Sequence, residues 1–382
     1  MTNRMHKTRI LTRKSRRLNL ELLEPRLCLS TYTTVDLTPL EGELQSWAYG
    51  LNDNGLVVGA SSHAAVVWSV GQAGNGEVVN PVQLEGLIER PDPEIDDGSL
   101  RATEVNNQGM IAGGSQFIDV DGITRSHAVV WTNSSGSYEV RDLGTPAGFD
   151  GSDALSLSEP DSEGNVWVVG VSGKPDQTPY PEDPNPDQRV SHGVLWKVEP
   201  NGTIQMFDLE PDFPTPDESF VSASDVNVSE DGQSVLVAGS QSGEQAIIWT
   251  VNLSGQVVNR TLLGTDDVDT VQAYGLNNDG DAVGWAWAPF PDDYGFLYEG
   301  GETIALGSLG NQGSCALGIN DNDVVVGRYT HVIPPSSGFV GDDYAFVWED
   351  GTMYDLCDQV SDRTFWRLSS AADVNDNGEI VG

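Results

Sequence analysis

Short apolar runs recur along residues 32–382, each bounded by Gly, Asp, Asn or Pro. They are too short and too often interrupted for amphipathic helices, so the pattern predicts strands throughout. One motif returns seven times: Ala-x-x-aliphatic-Asn, a turn of Gly, Asp and Asn, then a β-branched pair and Gly. Its copies lie at 48–59, 102–113, 154–170, 223–239, 273–284, 316–327 and 371–382. The Asn-to-Gly step is 7 residues in five of them (Asn52–Gly59, Asn106–Gly113, Asn277–Gly284, Asn320–Gly327, Asn375–Gly382). In the third and fourth it is 12, which fits an insertion in the turn; Asn227 holds the Asn place in the fourth. A second run follows six copies and ends in an aromatic residue: Trp68, Trp131, Trp196, Trp249, Tyr298 and Trp348. A third run, ending in Asp-Leu or Leu-Gly, closes the unit.

Each unit then has four strands. Strand a is the Ala-x-x-aliphatic stretch, b the β-branched pair, c ends at the aromatic residue and d at Asp-Leu. The Asn-Asp-Asn-Gly link between a and b is a strong hairpin signal, because Asn and Gly accept positive φ. Four antiparallel strands per unit of about 50 residues, repeated in series, predict an all-β, seven-bladed β-propeller-like domain over 31–382. Its recognisable cores are 48–68, 102–131, 154–196, 223–249, 273–298, 316–348 and 371–382. The aromatic residues that end strand c are expected between blades as packing, not as a sugar-stacking set. The last unit shows only strands a and b, whereas Thr31–Leu37 (TYTTVDL) reads as a strand d with nothing before it. That strand is expected to join the last blade and pair the two chain ends. Strand c of that blade is missing, so the sequence reads as cut within a repeat, with an open edge.

The second runs open as His63-Ala64-Ala65, His127-Ala128-Val129, His192-Gly193-Val194, Gln245-Ala246-Ile247, Tyr294-Gly295-Phe296 and Tyr344-Ala345-Phe346. With their flanking units they resemble the HAF-type extracellular repeat, named for its His-Ala-Phe element. The resemblance covers nearly all of 32–382 and implies an extracellular location and a β-rich fold, without a settled chemistry. Residues 1–30 read as a basic leader, disordered or processed. The apolar stretch of a secretory signal is missing, because 18–29 is broken by Asn19, Glu21, Glu24, Pro25 and Arg26. Within it, Leu23-Glu24-Pro25-Arg26-Leu27-Cys28-Leu29 resembles the LEPR-XLL motif of large bacterial proteins expected to be exported, with Cys28 where that family has Leu. The resemblance implies an exported or cell-surface protein.

Charge narrows the partners. The chain has 19 basic and 58 acidic residues, net −39; with the leader's eight basic and two acidic residues set aside, the body carries 11 and 56, net −45. Phosphate backbones and anionic lipids would repel such a body, which argues against nucleic-acid binding. There is no apolar run of about 18 residues, so no integral helical membrane segment is expected. Three Cys are too few for a disulfide scaffold. Cys315 begins strand a and Cys357 follows strand d of one unit, strands about 14 Å apart at ~4.8 Å per spacing, too far to bond unless the 357–369 loop folds back over the blade.

No catalytic set is recognisable. His63, His127 and His192 hold equivalent places in different blades, so they cannot share one metal or one triad. Gly239-Ser240-Gln241-Ser242-Gly243 lacks the central Ser of a nucleophile elbow. Asp373–Gly378 opens like a calcium loop but reads better as a hairpin turn. Acidic pairs at Asp96, Asp97, Asp119, Asp121, Asp292 and Asp293 are weak candidates for Ca²⁺ through hard oxygen ligands. The variable Asp- and Pro-rich d–a and b–c loops are where binding would sit. The function expected is an exported, non-catalytic binding module for an extracellular glycan or protein ligand. A propeller glycan hydrolase or lyase and an extracellular Ca²⁺-binding structural protein are its competitors.

Overall fold

The computed structural model describes residues 32–71, 78–87, 100–118, 122–134, 136–173, 191–210, 221–241, 245–264, 270–287, 293–310, 312–332, 341–361 and 367–382. The leader at 1–30 lies outside them. Six four-stranded antiparallel meanders fall within 46–83, 101–142, 151–208, 221–263, 270–307 and 314–355. They are blades 1 to 6, with strands a to d in chain order. Strands a of neighbouring blades touch in series, and Asp373–Val374 of the last repeat touches strand a of both blade 6 and blade 1. The circle therefore closes, and the fold is a β-propeller.

The expected seven blades are corrected to six. The seventh repeat supplies only Asp373–Val374 and Ile380–Val381, two short antiparallel strands. No strand c lies beside Ile380–Val381 among the described residues, so a fourth strand has no ladder to join. The N-terminal stretch accordingly does not pair with that sheet. Tyr32 instead makes an isolated parallel bridge to Val360, after blade 6. Further on, the same stretch does occupy the place of a strand d. Leu37 and Leu40 pack with Val381 against the cluster around Trp68, and Trp68 Nε1 donates to Thr38 O at 2.9 Å. Trp131 makes the corresponding bond to Glu85 O, just beyond strand d of blade 1.

The repeated residues have a common cause. Every strand a of blades 1 to 6 breaks register immediately after its motif Ala, as between Ala48 and Gly50 or Ala273 and Gly275. This β-bulge re-aims the residue that follows. It also drives a strand-a carbonyl against strand b. A Cβ on Gly59, Gly113, Gly239, Gly284 or Gly327 would collide with the carbonyl oxygen of Trp47, Arg101, Ser222, Gln272 or Cys315 respectively. The Gly that ends each β-branched pair is required by that approach.

The apolar core lies between blades. Seven buried clusters fill the seven gaps of the circle, two of them flanking the two-stranded unit. Trp68, Trp131, Trp196 and Trp249 are fully buried in this packing, and Trp348 is partly buried. One helical turn, Leu356–Gln359, departs from the all-strand expectation; Asp355 caps it by accepting from Cys357 N. Cys315 and Cys357 are free thiols.

Candidate functional site

Two rings of side chains surround the axis on the a–b turn side, and both are built on strand a. The outer ring is made by the motif Asn. Its Oδ1 caps its own hairpin, as Asn52 does for Asn54 N and Leu56 N at 3.0 and 2.9 Å. Its Nδ2 crosses to the next blade. Asn52 donates to Asn106 O (2.8 Å), Asn106 to Ser158 O (3.1 Å) and Asn227 to Leu276 O. Asn320 donates to Asn375 O (2.8 Å), and Asn375 to Asn52 O (3.1 Å). The girdle thus runs through the two-stranded unit without interruption. A second tier repeats the pattern one residue later, with Asp321 N to Asp376 Oδ1 and Asp376 N to Asp53 Oδ1. Asn375 also caps Glu379 N at 2.9 Å, so 373–378 is a hairpin turn and not a calcium loop.

The inner ring is set by the residue after each bulge: Gly50, Glu104, Ser156, Asp225, Gly275, Gly318 and Asp373. Gly50 and Gly318 leave room for the carboxylates of Glu104 and Asp373. A Cβ on Gly50 would stand 2.7 Å from Glu104 Oε1. Asp373 accepts from Leu51 N of blade 1 at 3.2 Å and from Val374 N at 2.8 Å. Asp225 accepts from Ser156 Oγ of blade 3 (2.6 Å) and Leu276 N of blade 5 (2.7 Å). Burial pushes Glu104 well above the usual carboxylate range, and the charges of Asp373 and Asp225 add to it. Burial also carries Asp373 up to about 7, against the pull of the Val374 and Leu51 N–H groups. Asp225 is raised by burial as well, although Ser156, Leu276 and Val226 hydrogen-bond it.

A cleft of ≈ 360 Å³ opens between blades 5 and 6 on the opposite face, that of the d–a and b–c loops. Strands a and b of blade 5, Thr270–Leu276 and Ala282–Trp287, contribute Tyr274 and Trp285. Asp293 stands just before strand c, and blade 6 brings Cys315, Arg328, Thr330 and Asp343. Tyr274 is there because it is the bulged residue of its strand. Asp343 Oδ1 accepts from Thr330 Oγ1 at 2.7 Å, and its Oδ2 lies 3.8 Å from Arg328 Nη1. Asp293 Oδ1 is buried with no hydrogen-bond partner among the described residues. Burial pushes the Cys315 thiol up to about 11 and the Tyr274 phenol to about 12, so both stay protonated at neutral pH and neither is an activated nucleophile.

Of the residues singled out in the sequence, Cys315 and the candidate metal residue Asp293 reach this cleft. Asp96, Asp97, Asp119, Asp121 and Asp292 lie outside the described residues, and no group of three metal-ligating side chains occurs among those described. His127 and His192 each hold an Asp of their own blade's strand d, Asp142 and Asp208, both at 2.9 Å. The inner carboxylates escaped sequence reasoning, although a signal exists: the third motif position is Gly, Ser or an acid in every copy, beside a fourth position that is always aliphatic. Nothing comparable marks Tyr274, Trp285 or Arg328.

No family model matches the chain, and no curated protein does. Among solved structures it is similar to YjhT, with 12% identity, 84% of this chain and 99% of that one covered, and a TM-score of 0.45. It is also similar to a Mycobacterium tuberculosis puromycin-hydrolyzing peptidase (13% identity, 80% and 43% covered, TM-score 0.43). A third similarity is to Trypanosoma rangeli sialidase (11% identity, 73% and 51% covered, TM-score 0.40). The chain spans about half of the sialidase and less than half of the peptidase. The propeller assignment rests on the sheet order and the closed circle of contacts, and these likenesses name no ligand or reaction for this chain.

Proposed function

We propose that this protein is an exported or cell-surface binding module of HAF-type repeats behind a LEPR-XLL leader, holding an extracellular glycan or protein ligand without transforming it. The observation that carries the reading is the cleft between blades 5 and 6. It sets Tyr274 and Trp285 among convergent hydrogen-bonding groups, with a buried carboxylate oxygen that lacks a donor among the described residues. A concave site where polar groups from two blades converge beside aromatic faces is a place for a ligand to be held. The high-pKa thiol and phenol beside them suit holding rather than covalent chemistry. A glycan- and protein-array screen of the chain, followed by a reducing-sugar assay on each glycan bound, tests it. Binding without release of reducing ends is expected.

A second reading, a glycan hydrolase or lyase, is favoured by the inner-ring carboxylates, since raised carboxyl pKa values cluster at acid–base sites. Release of reducing ends that is lost in Glu104→Gln would select it. A Ca²⁺-binding structural role is separated by melting with and without chelator; a Tm that drops by several degrees in chelator would support that role.

A further inference from the structure

We infer that the cleft between blades 5 and 6 is built for a neutral, hydroxyl-rich ligand of about monosaccharide size, with Asp293 as the acceptor that fixes its orientation. The inference rests on the binding-module reading above and names its ligand class.

The argument is one of elimination by charge and donor count. Asp293 Oδ1 is buried and unpartnered among the described residues. Asp293 also lines the cleft, where its carboxylate is an acceptor for an occupant that brings a donor. An anionic ligand would face Asp293 and Asp343 within a body of net charge −45. An ammonium would face Arg328, which stands half exposed 3.8 Å from Asp343. A hydroxyl group suits both sides: it donates to Asp293 and accepts from Arg328 or Gln312. Tyr274 and Trp285, both half-buried, offer the apolar surface on which the C–H side of a sugar ring packs. The volume of ≈ 360 Å³ is at the small end of ligand cavities, which excludes a long chain held end to end.

Saturation-transfer NMR and titration of the full chain with the methyl glycosides of glucose, galactose and mannose test this, with ethanolamine and acetate as the charged probes. At least one glycoside is expected to bind. Asp293→Ala should raise its Kd at least tenfold without lowering Tm, and Trp285→Ala should weaken it too. No glycoside binding, or binding that neither variant weakens, overturns the inference. Ethanolamine or acetate binding in place of the glycosides overturns the ligand class and leaves the binding module standing. An array ligand that both variants bind undiminished removes this cleft and likewise leaves the module standing.

Discussion

The two rings on strand a are two residues apart and share one backbone geometry, yet they are chemically opposite. The outer ring repeats a neutral Asn in six of seven units, and those Asn groups cap a turn and bridge to neighbours. The inner ring mixes Gly, Ser, Asp and Glu and gathers three carboxylates at the axis. Uniform residues with matched donors and acceptors stabilise a closed circle. Uneven residues holding buried like charges oppose it. The contrast separates what holds the propeller together from what the propeller carries. It is sharpest at the last repeat, where Asn375 ties the two-stranded unit to blade 1 and Asp373, two residues before it, brings a carboxyl whose pKa is lifted to about 7.

The largest effect is expected in the outer ring. Asn320→Ala removes two caps, to Asn322 N and Val324 N, and the bridge to Asn375 O. Three bonds at about 1 kcal/mol each predict a loss near 3 kcal/mol, read as a fall in the urea midpoint. A change below about 0.5 kcal/mol would remove the girdle as a source of stability.

The inner ring predicts a pH dependence of unusual sign. Asp373 titrates near 3.8 when unfolded and at about 7 when folded. The native state therefore holds a proton that the unfolded chain has released. The resulting stability is fully present below about pH 4 and is lost as pH rises through 7. Discounted for the solvent that reaches the axis, the effect is about 2 kcal/mol between pH 5 and pH 8, with Glu104 acting in the same direction. A Tm that rises on acidification from pH 8 to pH 5 supports this; a flat profile refutes it. The opposite sign applies to Asp142. Burial raises it, but bonds from His127 and Gly144 N–H bring it below the ordinary value, so its contribution is present above about pH 4 and lost on further acidification.

Much of this was legible in the sequence, and the exceptions have physical causes. Strand order, the a–b hairpins and the buried Trp residues follow from a period repeated seven times. The blade count did not follow, because a repeat can supply a link in the girdle and two faces of core with only two short strands. The N-terminal strand d failed for the same reason: Leu37 finds its apolar place, but a ladder needs a neighbouring strand. The girdle changes at blade 3, where the longer a–b turn puts Ser158 in the Asn place and Ser156 reaches Asp225 instead. The cleft was invisible because its side chains come from two blades and from positions that do not repeat.

The smallest expected effect discriminates most sharply between the rings. Glu104→Gln keeps the size of the side chain and its acceptor for Val105 N, while removing a charge that burial and Asp373 disfavour. The substitution should therefore stabilise the protein increasingly as pH rises, by about 1 kcal/mol, since the amide has no charged form for burial to disfavour. On acidification the two proteins should converge, because the raised Glu104 carboxyl holds its proton more readily as pH falls. The convergence of the two Tm profiles on acidification is the signature: loss of a packing contact would lower Tm at both pH values, and loss of a stabilising ion pair would lower it chiefly at pH 8. Paired with Asn320→Ala, the measurement sets a destabilising truncation in one ring against a stabilising neutralisation in the other.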